Sequence, residues 1–281
     1  MIDPEHFNVC QVFKVREKLN DLALQKALSA LVQHHDMLRA TYKDKKQVIG
    51  KVEDKKWYGF TKIACESEEI QEKIKATKVK MDLAEGPLLQ AVLFSTPEQD
   101  YMMLLAHHMI MDVISWRILT EDLEKGYSQA LNQKEITLPA KTVSFKVWSE
   151  GLAYYSQSEK LKRRLAYWSE IENKLVDGKL KEDGIDDKFE PKTAVACLNA
   201  AITEKLLKES AHAYNTEIND LLVAALGRAV NKVTGQRTLA IQMEGHGREE
   251  TVGSLTRNKE RIWRSIFRVF TIRLWTGYES S

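Results

Sequence analysis

The passage from a strand pattern to a helix pattern between residues 101 and 131 constrains the fold of this chain most strongly. Tyr101 to Ala106 is an apolar run of the length expected for a buried strand. From Ile114 to about Leu131, apolar residues recur every four positions, which predicts a helix with one buried face. The short segment from His107 to Val113 separates the two patterns. The sequence therefore predicts an α/β fold in which a buried strand runs directly into a helix.

Two more strands and one more helix are predicted before this junction. Leu88 to Phe94 reads as a strand, and the turn signal at Pro97 to Asp100 makes it a hairpin with the strand that follows. Val9 to Val15 is apolar and β-branched enough for a third strand, after which Asn20 or Asp21 can cap a helix. The buried face of that helix is predicted to consist of Leu24, Leu28 and Leu31.

The later part of the chain shows a change of composition that predicts a second lobe. A helical stretch from Ser144 to Ile171 gives way to a charged, glycine-containing segment, and a further helix, capped by Asn215 or Thr216, precedes a strand at Arg237 to Met243. The predicted divisions are an N-terminal lobe at 1–176, a charged linker at 177–192, the start of a C-terminal lobe at 193–250 and an atypical tail at 251–281.

Charge and cysteine usage exclude several classes of partner and cofactor. Forty-two basic residues against forty acidic ones leave a net charge of +2, so no overall field favours nucleic acid or a membrane surface. Three widely spaced cysteines lack the spacing of a disulfide framework or a zinc site. No apolar run is long enough to span a bilayer, and the N-terminus lacks a secretory pattern. A cytoplasmic protein without a metal is expected.

The segment from His107 to Trp116 carries the first candidate for chemistry. A histidine at a strand end is suited to proton transfer because its ordinary pKa lies near neutrality. The free N–H groups at the start of the following helix, near Val113 to Ser115, can stabilise an oxyanion. The alternative is structural: His107 as a buried structural histidine, and Asp112 as a helix cap that orients the loop.

Two other polar clusters need separate interpretations. Glu244 ends a predicted strand and is followed by Gly-His-Gly, so its carboxylate is placed at a tight turn, whereas a surface glutamate in a loop is the alternative. His34 and His35 lie at the end of a predicted helix, where a structural role is favoured over a metal site.

The string His-His-x-x-x-Asp-x-x-Ser-Trp at 107–116 resembles the signature of the epimerization domains of nonribosomal peptide synthetases, a branch of the condensation-domain superfamily. Condensation relatives usually have glycine where Val113 stands, and Ser115-Trp116 favours the epimerization branch. The resemblance runs from about His6 to Glu250. Further stretches similar to this family, in the same order, are His34–Arg39, Ser144–Trp148, Ile218–Leu222 and Glu244–Glu249.

The resemblance implies a fold, a substrate and a pair of catalytic residues. The fold would be the two-lobed, chloramphenicol-acetyltransferase-like α/β fold, and the substrate an aminoacyl or peptidyl thioester on the phosphopantetheine arm of a carrier protein. His108 and Glu244, from different lobes, would be the acid/base pair that epimerizes the α-carbon. The thioester carbonyl is the electron sink, so no metal or dissociable cofactor is implied. Residues implied to support the site are His107, Asp112, Ser115, Trp116, Gly245, His246 and Arg248.

The partners that the resemblance implies are a peptidyl carrier protein and other synthetase modules, with no nucleic acid and no membrane span. Two other functions stay open. A condensation domain would form an amide bond, although Ser115-Trp116 and the glutamate motif argue against it. A noncatalytic remnant would only bind a carrier protein, and this alternative is serious because the second lobe looks incomplete.

The tail at 251–281 departs from the family pattern and has two interpretations. It is basic and aromatic, which is compatible with an amphipathic helix for an anionic membrane or nucleic acid. The abrupt loss of the pattern favours the other interpretation, a frameshift that leaves an out-of-frame tail. An intact reading frame through the tail in the gene and in close relatives would refute the frameshift.

Overall fold

A computed structural model of the chain describes residues 7–77, 80–141, 143–175, 195–210, 216–245 and 266–273. The described residues fall into two compact units, which divide the chain between Gln157 and Ser158, except that Gly245 and Ile266 group with the first unit. The predicted linker at 177–192 and the predicted boundary after residue 176 lie outside the described residues. The domain boundaries therefore stay a prediction.

The first unit contains a four-stranded sheet in the order β1-β6-β5-β4. Strands β5 and β6 form an antiparallel hairpin, β1 pairs antiparallel with β6, and β4 pairs parallel with β5. The predicted hairpin and the predicted N-terminal strand are confirmed. The strands of this unit, including a separate two-stranded ribbon of β2 and β3, are β1 Asn8–Lys14, β2 Ala40–Lys43, β3 Lys46–Ile49, β4 Gly59–Ala64, β5 Leu89–Ser95 and β6 Asp100–His107.

Two long helices of the first unit share its hydrophobic core with the sheet. Asn20 caps the first of them, since its side-chain oxygen accepts the N–H of Ala23 at 2.9 Å, and the predicted apolar face through Leu24, Leu28 and Leu31 is buried. Both observations confirm the predictions. The other long helix, Val113–Leu131, covers the stretch predicted to be helical and ends at Leu131 as expected. The α-helices of this unit are α1 Asp21–His34, α2 Ile70–Ala76, α3 Val113–Leu131 and α4 Phe145–Ser156, and short 3₁₀ helices lie at Asp36–Arg39, Val52–Asp54 and Ser67–Glu69.

In the second unit the described elements are helices followed by a two-stranded sheet of β7 and β8. Ile266–Arg273 form β8, so the amphipathic-helix interpretation of the tail is wrong for these residues. The strand predicted at Arg237 to Met243 is confirmed and runs slightly further, to Gly245. The elements of this unit, in which each strand has one end residue that groups with the first unit, are α5 Glu159–Lys162, α6 Leu165–Leu175, α7 Ala200–Lys208, α8 Ile218–Thr234, β7 Thr238–Gly245 and β8 Ile266–Arg273.

Two helix predictions need correction. The helical stretch predicted from Ser144 to Ile171 is interrupted, because Ser158 starts a new helix by accepting the N–H of Leu161 on its hydroxyl at 3.3 Å. The cap of α8 is Glu217, not Asn215 or Thr216. A capping box forms there, in which the carboxylate of Asp220 accepts the N–H of Glu217 at 2.9 Å.

None of the helices in the described ranges is both long enough and apolar enough to cross a bilayer. Within the same ranges, no group of three or more histidine, cysteine or acidic side chains is placed to hold a metal ion. The three cysteines are free thiols.

A buried carboxylate ties the connection between β1 and α1 to the β5–β6 turn. Asp100 is 1% exposed and accepts hydrogen bonds from the N–H of Leu19 at 2.8 Å, the hydroxyl of Ser95 at 2.8 Å and the ammonium of Lys18 at 3.1 Å. Burial alone would raise the pKa of Asp100, but these donors outweigh burial and hold the pKa below its ordinary value.

We expect Asp100→Asn to lower the free energy of unfolding by about 2 kcal/mol at pH 7, because an amide cannot replace a carboxylate that accepts three hydrogen bonds. The folded pKa of Asp100 is lowered, so the carboxylate stabilises the fold fully above its unfolded pKa of about 3.9 and less as the pH falls through the folded pKa. Urea unfolding of the wild type and of Asp100→Asn should show that the difference between their unfolding free energies narrows from pH 7 towards pH 3. A difference in unfolding free energy that stays constant over this pH range would contradict the lowered pKa of Asp100 in the folded protein.

Candidate functional site

The loop from His108 to Asp112 joins β6 to α3 and carries the candidate site. His107, the last residue of β6, donates its N–H to the carbonyl of Leu88, the residue just before β5, at 3.0 Å. The hydroxyl of Tyr42 donates to the carbonyl of Met109 at 2.8 Å. The loop is therefore anchored both to the sheet and to the β2–β3 ribbon.

The ring of His107 is part of this anchoring. His107 is 1% exposed, and its Nδ1 accepts the N–H of Met109 at 3.1 Å. A ring nitrogen that accepts a hydrogen bond must present a lone pair, so Nδ1 carries no proton in this geometry. The contact supports the structural interpretation of His107, which shapes the turn that follows.

His108 is half-buried and stands beside Phe7, the described residue immediately before β1. The two rings are stacked, with centroids 4.8 Å apart and planes inclined by 10°. The N–H of His108 donates to the carbonyl of Phe7 at 2.9 Å. His108 is thus held by the start of β1 while part of its surface stays open to solvent.

Asp112 caps α3, as its predicted structural role requires. Its Oδ1 accepts the N–H of Ser115 at 2.6 Å, and its carbonyl accepts the N–H of Trp116 at 3.1 Å. Asp112 is 4% exposed, and Ser115 and Trp116 are also buried. These three residues fix where the helix begins relative to the histidine loop.

The same contacts limit the expectation that the helix start near Ser115 binds an oxyanion, which stays a prediction for the first N–H groups of the helix. The N–H groups of Ser115 and Trp116 already donate to Asp112. In addition, the carboxylate of Asp112 places acidic charge at this end of the helix, which opposes a second anion. The N–H groups of Ser115 and Trp116 are therefore not available to an enolate.

The second motif lies on β7 of the second unit. Glu244 and Gly245 are its last two residues, which agrees with the prediction that the glutamate stands at a strand end. His246 and Arg248 lie outside the described residues. The roles of Glu244, Gly245, His246 and Arg248 stay predictions.

The histidine pair at the end of α1 is built into the first unit. Nε2 of His35 contacts Oδ2 of Asp122 on α3 at 2.9 Å, and these side chains are 4% and 2% exposed. His34 packs edge-on against His35, with ring centroids 4.8 Å apart. This pair links α1 to α3, which supports the structural interpretation of the motif.

Two contacts of the histidine loop involve residues that the sequence does not single out. Phe7 and Tyr42 contact the loop from positions far away in the chain. Neither residue belongs to a polar cluster or to a helical or strand periodicity that points to the loop. The signal that exists is weak: each is an aromatic residue at or beside a short strand.

A family model described as Condensation domain matches residues 1–259. Tyrocidine synthase 2 from Brevibacillus parabrevis is 35% identical over 272 residues, which are 93% of this chain and 8% of that protein. Tyrocidine synthase 1 from the same organism is 34% identical over 258 residues, 88% of this chain and 24% of the relative. The chain thus spans a small part of each of these relatives.

Solved structures give the same fold. The epimerization domain from the third module of tyrocidine synthetase B is 32% identical with a TM-score of 0.79, and the match covers 97% of this chain and 63% of that chain. The first condensation domain of the CDA synthetase is 17% identical with a TM-score of 0.69, covering 99% of this chain and 67% of that chain. These likenesses confirm the predicted α/β fold, and the family match shows that the chain belongs to the condensation domain family.

Proposed function

We propose that this chain epimerizes the α-carbon of an aminoacyl or peptidyl thioester carried on the phosphopantetheine arm of a carrier protein. The observation that carries the proposal is the 32% identity to a solved epimerization domain, against 17% to a condensation domain of the same fold. The residues Ser115-Trp116 and the glutamate motif at 244–249, which resemble the epimerization branch, support it.

The proposed reaction moves one proton and breaks no other bond. A base removes the α-proton, and the electron pair of the C–H bond moves into the thioester carbonyl to give an enolate. An acid then returns a proton to the opposite face of the α-carbon, which inverts the stereocentre. Proton transfer of this kind needs two side chains that exchange protons near neutral pH.

We assign these two roles to His108 and Glu244. His108 is half-buried at the end of β6, next to a loop that His107 and Tyr42 hold in place. Glu244 ends β7 within the motif that resembles the epimerization branch. Deuterium uptake by the Glu244→Gln and His108→Ala variants decides which residue serves which face of the α-carbon.

Condensation is the second candidate, because the matching family model is that of the condensation domain. In that reaction the amine of an acceptor attacks the donor thioester, and the thiol leaves as the amide forms. His108 would then contact the amine, and Glu244 would have no part in the reaction. A chain that binds a carrier protein without catalysis is the third candidate.

Proton exchange tests the proposal directly. A carrier protein loaded with an L-aminoacyl group is incubated with the chain in deuterated buffer, and the released amino acid is analysed for deuterium and chirality. We expect deuterium at the α-carbon together with a mixture of L and D forms. Amide formation with a second, acceptor-loaded carrier would favour condensation, and a folded chain that binds the carrier but gives neither product would favour the third candidate.

A further inference from the structure

Phe7 contacts His108 through both its main chain and its side chain. The carbonyl of Phe7 accepts the N–H of His108 at 2.9 Å, and the phenyl ring stacks on the imidazole at 4.8 Å with an inclination of 10°. The residue after Phe7 begins β1, where Asn8 lies opposite His107 in the register with β6. The main-chain hydrogen bond to Phe7 therefore continues the pairing of β1 with β6.

Burial does not explain the phenyl ring at this position. Phe7 is 48% exposed, so one side of the ring covers His108 and much of the rest meets solvent. An exposed aromatic ring gains little from the hydrophobic effect, whereas a near-parallel stack restricts how a neighbouring ring can turn. The contact thus bears on the orientation of His108 more than on the stability of the core.

A half-buried histidine at a strand end can rotate about its Cβ–Cγ bond, because that torsion has broad minima. A base that transfers a proton must point one ring nitrogen at the reacting atom, and small errors of position lower the rate strongly. A phenyl ring parallel to the imidazole removes the rotations that would tilt the imidazole plane. The hydrogen bond to the Phe7 carbonyl fixes the main chain of the same residue.

We propose that Phe7 is a positioning residue that fixes the plane of the His108 imidazole. The effect on catalysis rests on the proposed function, in which His108 transfers a proton. The geometric part is independent of it, because the order of the ring exists with or without a substrate. The two parts are therefore tested by different measurements.

The first measurement is NMR of the His108 ring in the whole chain, with the signal assigned by its loss in His108→Gln. The stacked phenyl ring should shift the imidazole protons upfield, and relaxation should show an ordered ring. Phe7→Leu should remove the shift and increase the mobility of the ring, whereas Phe7→Tyr should keep both properties. Equal shifts and equal mobility in the wild type and Phe7→Leu would overturn the proposal.

The second measurement is α-proton exchange at varied carrier concentration. Phe7→Leu should lower kcat about tenfold with little change in KM. A tenfold change in rate corresponds to a free energy near the upper end of the range for an aromatic stacking contact. Phe7→Tyr should restore the rate. The matched control is Phe13→Leu, which removes an aromatic ring from β1 opposite Met102, away from His108, and should leave kcat unchanged.

The outcomes separate the two hypotheses. If the wild type exchanges no α-proton, the proposed function fails, and the NMR comparison alone decides whether Phe7 orders His108. If the wild type is active and Phe7→Leu keeps its full kcat, the positioning role is overturned while the proposed function stands. An equal drop in kcat in Phe13→Leu would also overturn the positioning role, because the loss would then come from a change in β1 as a whole.

Discussion

Glu244→Gln is expected to lower the rate of inversion by orders of magnitude while the α-proton of one enantiomer still exchanges with solvent. With two bases on opposite faces of the α-carbon, each base removes the proton of one enantiomer only. When glutamine replaces Glu244, His108 can still remove and return a proton on its own face. That enantiomer then takes up deuterium with its configuration retained, and the other enantiomer does not react.

His108→Ala should give the reciprocal result, with exchange confined to the other enantiomer. In both variants the rate of inversion should fall by roughly 10²- to 10⁴-fold, the contribution typical of a positioned acid or base. The measurement is deuterium uptake and chirality in separate reactions that start from the L- and D-aminoacyl carrier. Together the two variants assign each residue to one face.

Matched controls remove a similar side chain elsewhere. His34→Gln alters a half-buried histidine at the end of α1, and Glu209→Gln alters an exposed glutamate after α7. Neither should change the rate of inversion by more than about twofold. If Glu244→Gln and His108→Ala both stop exchange of both enantiomers, the two-base mechanism is wrong. If either variant inverts the α-carbon at close to the wild-type rate, that residue is not an acid or base of the reaction.

The parts of the fold that could be predicted are those specified by local periodicity. The apolar run of β6 and the four-residue repeat of α3 meet within one stretch of chain, so their order and junction follow from the sequence. The cap of α1 is likewise local, because Asn20 bonds the N–H of a residue three positions on. Each of these features depends on residues that are close together in the chain.

Elements without a local pattern were not predictable. The β2–β3 ribbon turns through Asp44 and Lys45, which have φ values of 49° and 61° although neither is glycine. A charged turn of this kind lacks the glycine signal on which hairpin prediction depends. Strand β4 is held by parallel pairing with β5, more than twenty residues further along the chain, and its own sequence does not alternate cleanly.

The candidate site shows the same division. The positions of Asp112 and His107 follow from the strand–helix junction, and so does the start of α3. What the junction could not reveal is which N–H groups remain available, because this depends on the rotamer by which Asp112 bonds Ser115. Contacts from Tyr42, 67 residues before Met109, depend on the tertiary fold alone.

A second large effect is expected at the buried pair of His35 and Asp122. Its two side chains are 4% and 2% exposed and meet at 2.9 Å. His35→Leu should lower the free energy of unfolding by about 3–5 kcal/mol, because it removes the imidazole partner of a carboxylate that stays buried. Urea unfolding at pH 7 measures this loss.

The double variant His35→Leu/Asp122→Leu separates a structural pair from a catalytic one. Removing both polar groups also removes the buried carboxylate, so the double variant should lose much less stability than the sum of the single variants. His34→Leu is the matched control and should cost under about 1 kcal/mol, since His34 is only half-buried. Additive losses would show that the contact between the two side chains contributes little.

A stable double variant should also keep the rate of α-proton exchange per folded molecule. The pair joins the end of α1 to the middle of α3, whereas the cap of α3 lies at the start of that helix and His108 precedes it in the loop. A folded double variant that loses exchange would contradict the structural interpretation and give this histidine motif a part in the reaction. Retained exchange would instead confine the chemistry of the first unit to the loop between β6 and α3.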